Sequence, residues 1–62
     1  MSGDEVAVLY ADLEASVREL YRLARVTGDL LEAGQARPLL SAAALVDGVA
    51  SEVARRIAEG QL

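Results

Sequence analysis

Apolar side chains in the first half of the chain recur every seven residues, and this spacing limits what the chain can fold into. Three neighbouring columns run along residues 6–31, and they contain Val6, Leu13, Leu20 and Thr27; Leu9, Ser16, Leu23 and Leu30; and Tyr10, Val17, Ala24 and Leu31. Such columns form one broad stripe on an α-helix, whereas a half-buried β-strand alternates every two residues. The stripe is as wide as that of a helix in a bundle. The sequence therefore predicts an all-α fold.

Gly34 and Pro38 divide the chain into two helices. Glycine is favoured just after the end of a helix, and proline is favoured in the first turn of the next one. We therefore predict a single helical-hairpin domain over residues 1–62, with a first helix at about 4–33, a loop at 34–37 and a second helix at about 38–59. Because the loop is short, the two helices are expected to run antiparallel.

The second helix separates an apolar side from a polar side. Its apolar residues fall within one arc of about 140° at the helical period of 100° per residue, and they are Leu39, Ala42, Ala43, Val46, Val49, Ala50, Val53, Ala54 and Ile57. Gly60 is expected to end this helix. In the first helix, Gly28 leaves open a break, since an internal glycine costs about 1 kcal/mol.

A chain of 62 residues without cysteine is too small to close a stable core easily. The stripe of the first helix is also wider than one partner helix needs, and a twofold dimer is the simplest way to cover it. We therefore predict a homodimeric four-helix bundle. The residues predicted to hold this assembly together are Val6, Leu9, Leu13, Val17, Leu20, Leu23, Leu30, Leu31, Leu39, Val46, Val49, Val53 and Ile57.

The composition excludes several classes of chemistry. Without histidine or cysteine the chain has no Ser-His or Cys-His pair, and it has neither lysine nor a glycine-rich phosphate loop. We therefore expect no enzymatic activity and no cofactor. Glu5, Asp12 and Glu19 lie seven apart, and such a row either holds a divalent metal across a bundle or forms a charged edge that sets partner choice. We favour the charged edge and predict no metal site.

Arginines follow one another along the outer side of the first helix. Arg18, Arg22 and Arg25 are spaced four and three apart, which is compatible with a strip that binds an anion or RNA. Three acids lie within one turn of them and favour a solvated, salt-bridged face instead, and these are Glu14, Glu19 and Asp29. The net charge of −4 also opposes binding to a phosphate backbone. Nucleic acid is therefore not an expected partner.

Two features are candidates for docking a second protein. Tyr21 lies on the outer side of the first helix, and an exposed aromatic residue is a common interface anchor. The second helix carries small residues on its polar side, and these are Ser41, Ala44, Gly48 and Ser51. A strip of small residues lets another helix approach closely. Both features also occur on ordinary surfaces.

These observations favour a small non-enzymatic interaction, regulatory or adaptor module that self-associates. The alternative is an antitoxin-like or obligate small subunit that folds on a different protein, and a metal-binding or catalytic bundle built on the acidic rows is a third hypothesis. The longest uncharged run, 38–46, is too short to span a membrane, and no basic segment precedes an apolar stretch as in a signal peptide. The absence of cysteine favours a cytoplasmic protein, and the absence of lysine favours a GC-rich bacterial genome.

Overall fold

The computed structural model describes residues 3–61, and over that range the chain forms two α-helices. Helix α1 spans Gly3–Leu30 and helix α2 spans Ala33–Ala58. The molecule measures 43 × 15 × 13 Å, and a 28-residue helix such as α1 is itself about 42 Å long. The helices therefore lie side by side, and the two-residue connection makes them antiparallel. The predicted all-α hairpin is confirmed.

The turn lies earlier in the chain than the glycine and proline signals predicted. Residues 34–37, which we predicted to be the loop, form the beginning of α2, and Pro38 is the sixth residue of that helix rather than its first. The backbone N–H of Gln35 already donates to the C=O of Glu32 at 2.9 Å. Pro38 removes one helical hydrogen bond, the one that its N–H would have made to the C=O of Gly34.

Starting α2 at Ala33 adds a contact between the helices beside the turn. Ala36 is buried, and a Cβ added to Gly28 would lie 3.9 Å from the Ala36 Cβ. Gly28 itself stays within α1, which continues to Leu30. The break that the sequence left open is therefore absent, and the glycine lies where the two helices come together.

The end of α2 agrees with the role predicted for Gly60. This glycine has a φ of +72°, which an L-residue adopts only with strain. Its N–H donates to the C=O of Ile57 at 3.1 Å, and the N–H of Gln61 donates to the C=O of Arg56 at 2.9 Å. These two bonds form the Schellman motif, a common end for an α-helix.

The hairpin core is made of small side chains. Residues equally distant from the turn lie at the same level, so Leu20 lies opposite Ala43 and Leu13 opposite Ala50. The buried residues are Val6, Val17 and Ala24 from α1 and Ala36, Ala43 and Ala50 from α2. Within residues 3–61 every leucine is at least partly exposed. The two helices therefore approach closely, and few large apolar side chains are buried between them.

Candidate interaction surface

The packed hairpin leaves two broad sides, and one of them is defined by Tyr10. Tyr10, Ala54 and Ile57 line a shallow open cavity between the helices. The carboxylate of Glu14 and, to a smaller extent, that of Asp47 raise the pKa of the Tyr10 hydroxyl. Residues of both helices therefore share this side, which we call the tyrosine side. In an antiparallel pair of helices, the residues that lie on the flank of each helix away from Tyr10 and Ala54 share the opposite side of the hairpin.

The opposite side carries large apolar residues that the hairpin does not cover. We call them the leucine face, and they are Leu9, Leu23 and Leu30 from α1 with Leu45 and Val49 from α2. Each has between 37% and 77% of its surface exposed. Several large apolar residues exposed on one side of a small protein indicate a candidate interaction site. The leucine face is therefore the strongest candidate for a functional surface.

Ser16 is the polar member of the leucine column on α1. Its hydroxyl donates to the backbone C=O of Asp12 at 2.9 Å. Because this bond lies within the helix, covering Ser16 leaves no side-chain donor without a partner. The column from Leu9 to Leu30 can therefore be removed from water without a large polar penalty.

Charged residues near the leucine face are partly neutralised by short-range ion pairs. On α1, a hydrogen bond from the guanidinium of Arg22 lowers the pKa of Glu19. On α2, hydrogen bonds from Arg55 and Arg56 lower the pKa of Glu52 to about 2. The described chain contains no group of three acidic side chains that could hold a metal ion.

The arginine row of α1 is only partly salt-bridged. Arg22 is paired with Glu19, as the solvated-face interpretation predicts. Within residues 3–61, Arg18 and Arg25 make no ion pair. The three arginines therefore do not form one neutralised row.

The residues predicted for self-association occupy two environments. Some already pack between the two helices, where Val6 and Val17 are buried and Leu13, Leu20, Leu39, Val46 and Val53 are half-buried. The others are exposed, and they are Leu9, Leu23, Leu30, Leu31, Val49 and Ile57. The first group holds the hairpin itself together, so only the second group is free to meet another molecule directly. The role of the set in self-association stays a prediction.

The residues predicted for docking are exposed but lie on different helices. Tyr21 is on α1, and half of its surface is exposed. The small residues lie on the outward side of α2, and these are Ser41, Ala44, Gly48 and Ser51. A Cβ added to Gly48 would have nothing within 4 Å. The small-residue strip is therefore open, and its use by a partner stays a prediction.

The sequence reading missed Leu45, one of the most exposed large apolar residues. It lies about 40° outside the apolar arc predicted for the second helix. Leu45 precedes Val49 by four residues, so the two share one side of α2. This spacing was the signal that would have extended the arc. Leu40 and Val8 are also exposed and were not assigned.

Over residues 3–61, the fold and this surface define a class, a two-helix hairpin with an uncovered apolar face. Comparison with known protein families, with curated proteins and with solved structures finds no match for this chain. Within the described residues, neither helix combines the length and the hydropathy that a transmembrane span requires.

Proposed function

We propose that this chain is a non-enzymatic protein–protein interaction module of the regulatory or adaptor kind, and that it acts as a homodimer. A second copy covers the leucine face and completes a four-helix bundle. The observation that carries the proposal is the leucine face itself, five large apolar residues left exposed on a hairpin whose described leucines all remain in contact with solvent. Apolar burial drives most protein association.

The solvent-accessible area of the chain supports the proposal that a second copy covers the leucine face. A compact monomer of 6.5 kDa exposes about 3,800 Å², whereas this chain exposes 4417 Å². The excess, about 600 Å², is what an elongated hairpin with an uncovered apolar face is expected to show. A twofold dimer is the commonest closed assembly and places the same face of both copies in contact.

The proposal of a non-enzymatic role rests on the composition. The chain has no histidine and no cysteine, so the usual bases and nucleophiles of acyl transfer are missing. The third hypothesis, an acidic metal site, is tested by titrating the protein with Mg²⁺, Mn²⁺ and Fe²⁺ in a calorimeter, and binding heat would revive it. A cytoplasmic, bacterial setting remains a prediction from composition.

Sedimentation equilibrium at micromolar concentration tests the proposed dimer. We expect a species of about twice the 6.5 kDa chain mass, with cooperative melting of its helical circular dichroism signal. A folded, strictly monomeric chain contradicts the proposal. A weakly helical monomer that becomes helical on adding a host protein supports the alternative, an obligate subunit or antitoxin-like chain.

A pair of matched variants tests which face is used. Val49→Glu places a charge on the leucine face, and Leu40→Glu places one on the other flank of the same helix. The two side chains are similarly exposed, at 54% and 46%. We expect Val49→Glu to be monomeric, folded or not, because a buried unpaired charge opposes association. Leu40→Glu should remain dimeric, and a dimeric Val49→Glu variant would show that another surface is used.

A further inference from the structure

Charge is distributed unevenly along the hairpin. The half that contains the turn, residues 18–45, has three acids and four arginines, which gives a net charge of +1. The half that contains the two chain ends has seven acids and two arginines, which gives −5. The long axis of 43 Å separates these two halves. Each hairpin therefore has one strongly acidic end, which we call the open end, and one weakly basic end at the turn.

This distribution distinguishes the two ways in which a second copy can cover the leucine face. If the turns lie together, two open ends of charge −5 come within about 15 Å of each other. If the turn of one copy lies beside the open end of the other, each acidic end meets a weakly basic one. At a Debye length of about 8 Å, the screened Coulomb difference favours the second arrangement by about tenfold.

The leucine column of α1 also fits the opposed orientation. When α1 packs antiparallel on its symmetry copy with the twofold axis between residues 19 and 20, Leu9 of one chain lies level with Leu30 of the other. Ser16 then lies level with Leu23, so a small side chain faces a large one. A twofold interface requires this reciprocal pairing. Glu19, an acid near the centre, is already paired with Arg22, which reduces repulsion at the axis.

We propose that two copies pack through their leucine faces with their turns at opposite ends, about a twofold axis perpendicular to the helices. Helix α1 then contacts α1 of the second copy, and α2 contacts α2. This geometry rests on the proposed self-association and adds its orientation. The resulting dimer is a symmetric rod that has one weakly basic turn at each end.

Fluorescence energy transfer between single-cysteine variants tests the orientation, and the absence of native cysteine makes the labelling specific. Gly34→Cys lies near the turn, where an added Cβ meets nothing within 4 Å, and Ala58→Cys is exposed at the open end. Donor on one variant and acceptor on the other are mixed to form dimers. From the helical rise, we expect a distance below about 25 Å between position 34 of one copy and position 58 of the other.

A control with both labels at position 58 should give more than about 40 Å. If the mixed pair is distant and the position-58 pair is closer, the turns lie together, and the proposed orientation is wrong while self-association stands. If sedimentation finds only monomers of both labelled and unlabelled protein, the proposed function fails together with the orientation. Energy transfer is therefore measured on samples whose dimer content has been established independently.

Discussion

Glu52 is the centre of an ion-pair network on the exposed side of α2. Its carboxylate accepts a hydrogen bond from the Nε of Arg55 at 3.0 Å and one from the Nε of Arg56 at 2.8 Å, and Arg55 also donates to Glu59 at 2.8 Å. Pairs of this spacing support a helix modestly, since solvent screens them. Hydrogen bonds from Arg55 and Arg56 lower the pKa of Glu52 to about 2.

The pKa of Glu52 predicts a specific dependence on pH. Since folding lowers this pKa from 4.5 to about 2, the stabilisation is present above pH 4.5 and is lost as the pH falls through 2. We expect Glu52→Gln to lower the melting temperature by about 2–4 °C at pH 7 and to have a much smaller effect at pH 2. Thermal melts followed by circular dichroism at both pH values measure this difference.

Asp47→Asn is the control for the Glu52 variant. It changes the net charge by the same amount, and Asp47 makes no ion pair within residues 3–61. A decrease in melting temperature at pH 7 as large as that of Glu52→Gln would mean that general charge, and not the network, explains the effect.

Gly48 is a glycine for which the fold shows no conformational need. It lies inside α2 without a positive φ, and a Cβ there would meet nothing within 4 Å. Gly48→Ala should therefore raise the free energy of unfolding by about 0.5–1 kcal/mol, as measured by urea denaturation. Gly60→Ala is expected to lower it, because that position has a φ of +72°. An unchanged or lower stability for Gly48→Ala would indicate that a neighbour occupies the small-residue strip.

At the scale of elements, the N-terminus of α2 is incompletely capped. Glu32 is in the N-cap position with extended backbone angles, but its side chain makes no capping hydrogen bond. An aspartate is short enough to accept a bond from the N–H groups of the first turn. We expect Glu32→Asp to raise the free energy of unfolding by about 1 kcal/mol, measured by urea denaturation. Glu32→Gln serves as the control, and an equal gain in that variant would point to charge rather than capping.

Both helices followed from the sequence, but the turn between them did not. The seven-residue columns of α1 and the apolar arc of α2 specified the two helices, and the short connection between them specified their antiparallel packing. The turn lies earlier than predicted, and starting α2 at Ala33 buries Ala36 where the helix passes Gly28. The preferences of Gly34 for a helix end and of Pro38 for a helix start are local, and they do not include packing between the two helices. The Gly60 end was predictable because its Schellman motif is local.

At the scale of the whole molecule, the candidate surface was predicted only in part. Periodicity identifies which columns are apolar, but it does not specify whether the helix that covers a column belongs to the same chain. Val17 and Leu23 were therefore assigned to one set, although the first is buried in the hairpin and the second is exposed. The antiparallel packing separates them, since α2 covers one column and leaves the other in solvent.

A hairpin with so little buried apolar surface should gain stability from its own association. If folding and dimerisation are coupled, the melting temperature must rise with protein concentration. For two chains of 62 residues, typical unfolding enthalpies give an increase of about 6 °C for each tenfold increase in concentration. Thermal melts over a hundredfold range measure this slope, and the Val49→Glu variant should have none. A melting temperature independent of concentration in the unmodified protein would mean that the two helices are stable without a second copy, and that the exposed leucines serve another partner.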